Sequence, residues 1–223
     1  MNDKVKEIIE ELQSVVKGKT FDALFPPLVF VIANSFFGLT IASLLSIGTA
    51  VLFSLFRLFK KQDFKYAFGG LFSVVVASGF AYFAGNARDF FIPRIISSSF
   101  MLLLTTVTLF TAMPLSAWAS HLTRGWPKEW FKRSDIKPAY FETTILWAAL
   151  FAVRLTVQVI LYRGGDLANI FWINSLIGIP FTGFILILTY IYGIWRLRNL
   201  KGPGVEEFQA NKPKPWKGQT RGF

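Results

Sequence analysis

Long apolar stretches broken by short clusters of charge dominate this chain. Residues 23–56 contain no charged side chain, and uncharged stretches recur at 67–87, 95–120 and 167–195. One helix over the first stretch would be about 51 Å long, against a hydrocarbon core of roughly 30 Å, so the pattern predicts that the chain folds back there. The turn is expected at Phe37-Gly38-Leu39-Thr40, where Gly38 can end one helix and Thr40 can cap the next. The same length argument places further spans near 67–85, 92–116, 140–162 and 168–195. The predicted fold is therefore all-α, a polytopic membrane bundle of about six transmembrane helices. The segment 140–162 is the least hydrophobic, because it carries Glu142 and Arg154. If it did not span, the C-terminus would change sides.

Three regions follow from this pattern: residues 1–19, a transmembrane domain at 20–199, and a tail at 200–223. In the first, Val5, Ile8, Ile9, Leu12, Val15 and Val16 share one helical face and Asn2 or Asp3 can cap it, predicting a short amphipathic helix. Its polar face is acidic, with Glu7, Glu10 and Glu11. That face suits packing against basic loops or a partner, although a helix resting passively at the interface accounts for it as well. Lys17-Gly18-Lys19-Thr20 resembles the end of a phosphate-binding loop, but Gln13 stands where that motif needs glycine. The tail, with Gly202-Pro203-Gly204 and Lys212-Pro213-Lys214-Pro215-Trp216, is expected to be polar and mobile.

Charge then fixes orientation. Twenty lysines and arginines fall on the side of the two termini and the even-numbered connections; three, Arg88, Arg94 and Arg163, fall on the other, and Arg154 lies within a span. Basic residues near membrane ends stay cytoplasmic, so both termini are expected inside, at a bacterial cytoplasmic membrane. The same asymmetry explains the net charge of +11 without nucleic acid and points to anionic lipid at the basic loops. There is no cysteine and a single histidine, His121, expected to be a cap or interfacial residue. No metal ligand set, cofactor site or catalytic residue emerges, and paired carboxylates at one depth are lacking, so an enzyme is not expected. Trp126, Trp130, Trp172 and Trp195 are expected near interfaces.

Close helix packing in lipid relies on small residues. Gly69, Ser73, Ala77, Ala81 and Gly85 recur every four residues on one predicted helix, and Ala42, Ser46, Ala50 and Ser54 on the preceding one, predicting a tight pair. Asp22 and Arg57 fall at adjoining helix ends and are expected to form a structural ion pair. Asp22-Ala23-Leu24-Phe25-Pro26-Pro27 implies that the first helix is either short, beginning at Pro26, or broken there. Pro93, Pro114 and Pro180 are expected as helix starts or kinks.

Arg154 is the costliest polar residue in the apolar helices. Gln158 follows one turn later, and Asn34, Ser98 and Asn174 come out at similar depth. Together they are candidates for an outward-facing polar pocket, with Asp89 or Asp166 as counter-ion; snorkelling of Arg154 with mutual satisfaction of its neighbours is the competing reading. Hydroxyls on the 92–116 segment, among them Thr105, Thr106, Thr108 and Thr111, either coat a path or bond their own backbone.

Several segments carry a family resemblance: DALFPPLVFV at 22, FRLFKKQDFKYAFGGLF at 56, ARDFFIPRI at 87, MPLSAW at 113, LWAALFAVRLTVQVILY at 146 and GIPFTGFILILTY at 178. Residues 20–195 resemble a bacterial family of six-span membrane proteins of unknown function, and more distantly the layout is similar to intracellular septation protein A. The resemblance implies involvement with the cell envelope and division, and no catalytic residues carry over. Two functions are weighed: an envelope- or septation-associated scaffold or accessory subunit, with a membrane-protein partner or a second copy, and a carrier or channel for a small anionic solute or lipid headgroup around Arg154.

Overall fold

The computed structural model describes residues 24–60 and 64–223. The expected amphipathic helix at 1–19 and Asp22 lie outside the described residues. The described chain is helical: α1 Phe25–Phe59, α2 Phe64–Ala84, a 3₁₀ turn Ala87–Phe91, α3 Ile92–Leu109, α4 Leu115–Arg124, α5 Lys128–Phe131, α6 Lys137–Gly164, α7 Leu167–Leu176, α8 Ile179–Leu200 and α9 Val205–Gln209. Among the described residues, Phe25–Phe59, Ala87–Leu109, Lys137–Gly164 and Leu167–Leu200 are long and apolar enough to cross a membrane. The described helices are rich in exposed phenylalanine, leucine and isoleucine; Phe36 and Phe59 on α1, Phe83 on α2 and Phe110 just past α3 are each more than three-quarters exposed. A soluble protein does not expose apolar surface on this scale, and the chain is a membrane protein.

The expected turn in the first apolar stretch is present. Gly38 interrupts α1 with φ 77° and ψ 176°, and the two arms fold back on each other. Ser46 Oγ donates to Pro26 O at 2.9 Å and the rings of Phe25 and Phe53 stack at 5.4 Å, each pair straddling Gly38. Pro26 and Pro27 occupy the first turn of the described helix, where missing donors cost nothing.

Two other expected spans differ. The segment 92–116 ends at Leu109, because Pro114 has no N–H for a continuing helix and instead caps α4. Thr111 Oγ1 bridges the break between the carbonyls of Thr108 and Met113. The segment 168–195 breaks after Leu176, and α8 starts afresh with Pro180 in its first turn. Pro93 likewise stands in the first turn of α3.

The chain forms two compact units. The first, from Met1–Ile96 and Val157–Gly183, is centred on Phe30, Val31, Ala42, Ala77, Ala81, Phe90, Phe91, Ile170 and Phe171. Phe30 stacks on Phe90 with centroids 4.1 Å apart. The second, from Ser97–Thr156 and Phe184–Phe223, is built on Met113, Ala117, Trp130, Phe131, Ile136, Ala139, Tyr140, Leu197 and Val205. Trp130, expected at an interface, is fully buried here and donates Nε1–H to Pro203 O.

Residues 201–223, expected to be a mobile polar tail, are folded against this second core. Glu207 accepts from the backbone N–H groups of Gly204, Lys217 and Gly218, and those bonds hold its carboxyl below the usual carboxylate range. Gln219 Oε1 accepts from Val205 N, and Phe223 stacks on Tyr140 at 4.4 Å. Arg133, whose guanidinium is held in its charged form by Asp135, lies 5.2 Å from the Trp216 ring centroid and 5.8 Å from that of Phe208.

Candidate functional site

Helix α6 carries Arg154, Gln158 and Tyr162 at successive four-residue steps, so all three project from one face. Arg154 stands about 26 Å from the start of α6 and about 15 Å from its end. Gln158 is buried and donates Nε2–H to Asn174 Oδ1 at 3.0 Å, while Asn174 Nδ2 donates to Ile170 O at 2.8 Å. Tyr162 donates its hydroxyl to Asp89 Oδ1 on the buried edge of the 3₁₀ turn. Two buried polar atoms on this face have no hydrogen-bond partner, Arg154 Nε and Gln158 Oε1. One is a charged donor and the other a neutral acceptor.

Of the five residues expected to line a pocket, the structure joins Gln158 and Asn174 directly. Asn34 is half-buried on α1 and Ser98 is buried on α3, and neither is hydrogen-bonded to the other four. The expected counter-ions are engaged elsewhere: Asp89 by Tyr162, and Asp166 as the cap of α7, accepting from Asn169 N at 2.7 Å and Asn169 Nδ2 at 3.0 Å. Among the described residues the ion pairs are Arg133–Asp135 and Arg196–Glu142, and neither involves Arg154.

The packing residues divide. Ala42, Ser46 and Ala50 are buried and Ser54 is partly so; on α2, Ala77 and Ala81 are buried whereas Gly69, Ser73 and Gly85 are exposed. Arg57 is buried, its Nη1 3.8 Å from the point where a Cβ on Gly70 would stand. The α3 hydroxyls bond their own backbone: Thr105 to Met101 O, Thr106 to Leu102 O and Thr108 to Thr105 O. His121 lies in the last turn of α4, which Gly125 closes in the left-handed conformation, and its Nδ1 meets Trp126 O beyond the helix at 2.6 Å.

Sequence reasoning missed two polar nodes of the second unit. Arg196 forks onto Glu142 at 2.7 and 2.8 Å and Tyr192 donates to the same carboxylate at 2.7 Å. Ser116 Oγ meets Thr143 and Thr144 at 3.0 Å and donates to Tyr140 O at 2.8 Å. Glu142 counted only against its span; its match is Arg196, at the end of the last span on the same side. Among the described residues no three histidine, aspartate or glutamate side chains gather to hold a metal ion.

Residues 17–198 match the family described as protein of unknown function (DUF3159), and the chain belongs to that family. No curated protein and no solved structure matches the chain.

Proposed function

We propose that this membrane protein spans a bacterial cytoplasmic membrane six times, with both termini in the cytoplasm, and serves as a scaffold or accessory subunit of the cell envelope, associated with septation. The six spans are the two arms of α1, α2, Ala87–Leu109, α6 and Leu167–Leu200, and the excess of basic residues on one side supports the orientation. The observation that carries the scaffold reading is how polar side chains of the apolar helices engage one another. Glu142 takes Arg196 and Tyr192, Asp89 takes Tyr162, Gln158 takes Asn174 and Trp147 donates to Thr189 at 2.9 Å. These bonds tie helix to helix and leave few groups to hold a substrate. The partner is a membrane protein or a second copy of the chain, with anionic lipid at the basic loops, and no catalytic step is assigned.

A second reading rests on Arg154 Nε, a buried charged donor on α6 without a hydrogen-bond partner, which suits an anionic ligand, the chemistry of a small acid or a lipid headgroup. Purification in native lipid followed by mass spectrometry separates the readings. Envelope proteins retained equally by wild type and Arg154→Ala support the scaffold. A small molecule or lipid retained by wild type and lost from Arg154→Ala supports the carrier and overturns the scaffold.

A further inference from the structure

Helix α4 is turned inside out relative to a helix of a soluble protein. Its small face, Ser116, Ala117 and Ser120, is buried, and Ser116 is bonded to Thr143, Thr144 and Tyr140 O of α6. Leu115, Trp118, Ala119 and Leu122 recur at i, i+3, i+4 and i+7 on the opposite face; Leu122 is 76% exposed and the other three are half-buried, Trp118 with one side against the core of the second unit. The hydroxyl contacts fix the rotation of the helix, so this apolar stripe cannot turn inward without breaking them.

The surroundings of the stripe identify what covers it. Only residues 110–114 separate α4 from the end of the apolar span Ala87–Leu109, and Phe110 in that link is itself almost fully exposed. The stripe therefore begins where the chain leaves the hydrocarbon. Cations flank it: Lys128 Nζ stands 4.8 Å from the Trp118 ring centroid and the Arg124 guanidinium 5.4 Å from that of Trp126. Arg124, Lys128 and Lys132 outnumber the one nearby carboxylate not already paired, Glu129, while Arg133 is taken by Asp135. An apolar stripe with an aromatic in it, bordered by cations at the edge of a span, is the chemistry of a helix lying in a lipid interface.

We propose that α4 is an interfacial helix whose Leu115–Leu122 stripe beds in the acyl boundary of an anionic leaflet, with Arg124 and Lys128 at the headgroup phosphates. The proposal rests on the membrane reading and adds a specific lipid-contacting surface to it. Because the chain has no cysteine, single nitroxide labels report each position alone. Leu122→Cys, Leu103→Cys and Lys132→Cys are labelled in the full chain, reconstituted in phosphatidylcholine bilayers with or without phosphatidylglycerol. Collision with oxygen is compared with collision with a water-soluble nickel complex.

With phosphatidylglycerol, the expected result is oxygen-dominated collision at 122, as at 103 within α3, and nickel-dominated collision at 132. Adding Arg124→Gln and Lys128→Gln shifts 122 toward the aqueous value in phosphatidylglycerol bilayers and leaves it in place in pure phosphatidylcholine. A nickel-accessible 122 beside an oxygen-accessible 103 overturns the interfacial helix and leaves the membrane reading standing. A label at 122 closed to both reagents means that protein, a second copy or a partner, covers the stripe, and overturns the proposal. An equal shift in both lipid mixtures overturns the anionic component, and a nickel-accessible 103 overturns the membrane reading beneath it.

Discussion

Gly38→Ala isolates the backbone cost of the hairpin in α1. At φ 77° and ψ 176°, Gly38 occupies the extended positive-φ region that is essentially closed to residues with a Cβ. A Cβ built there meets nothing within 4 Å, so the substitution adds no steric clash with neighbours and its cost is conformational alone. Strain of this kind amounts to about 1–3 kcal/mol. Gly48 provides the matched control, since it lies in the second arm in ordinary helical conformation with equally open space. There alanine is expected to stabilise by about 0.5–1 kcal/mol through the lower entropy of the unfolded chain. The unfolded-chain gain is common to both substitutions, so the two variants should differ by the strain itself, about 1–3 kcal/mol, roughly fivefold or more in the folding equilibrium. Reversible unfolding from dodecylmaltoside into dodecyl sulfate, followed by circular dichroism, measures the difference. Gly38→Asn should give no rescue, because asparagine tolerates the left-handed helical region and ψ 176° lies outside it. Equal stability of Gly38→Ala and Gly48→Ala would refute the reversal at this residue.

Ser46→Ala removes the buried hydrogen bond that joins the two arms and should cost about 0.6 kcal/mol, at most about 2, in the same assay, with Thr49→Ala as an exposed comparison. Glu207→Gln should loosen residues 205–219, seen as faster amide exchange at Gly204, Lys217 and Gly218. The folded pKa of Glu207 is lowered, so its stabilisation is complete above the ordinary carboxylate pKa and is lost as pH falls through the lowered value. Protection of the wild-type tail, taken as the exchange rate relative to the intrinsic rate at each pH, should fall on acidification, and the glutamine variant should lose that dependence; an unchanged profile would remove the cap from the account. Gly193→Ala places a Cβ into the Phe223 ring, which packs in the notch of α8, and should cost about 1–3 kcal/mol of local packing. The readout is protease cleavage after Lys217 and Arg221, increased in the variant and unchanged if the ring can shift freely.

Local chemistry was legible in the sequence. The reversal at Gly38 depends on one residue acting on its own backbone and is found in the structure, and Pro26 and Pro27 stand in the first turn of the described helix. The break before Pro114 carried the same local signal, yet an uncharged stretch from 95 to 120 hid it, because hydrophobicity reports partition into lipid and says nothing of helix continuity. Long-range pairing was less legible. The tail from 201 is polar in composition, but what folds it is Trp130 on Pro203, Tyr140 on Phe223 and Arg133 on Trp216, contacts made across roughly 70 to 80 residues of chain. Arg196 and Glu142 are 54 residues apart and are brought together by the antiparallel run of α6 and α8.

The small-residue stripes show why a spacing that looks like a packing face is only partly one. Each four-residue step turns an α-helix by about 40° beyond a full revolution, so five residues at that spacing spread over about 160° of the surface. Gly69, Ser73, Ala77, Ala81 and Gly85 therefore cannot all face one neighbour, and the ends of the series, Gly69 and Gly85, are exposed. Among the described residues of α2, those buried are Val74, Ala77, Ser78 and Ala81, a series that alternates steps of three and one and stays within one face. On α1 the shorter series Ala42, Ser46, Ala50 drifts only about 80° and is buried throughout. The same geometry applies to α6: Arg154, Gln158 and Tyr162 drift by a similar angle, and the engagement of Gln158 by Asn174 and of Tyr162 by Asp89 leaves Arg154 at the edge of the series. The test of Arg154 thus asks whether a charge at the margin of a partly satisfied polar face binds a ligand or only completes that face.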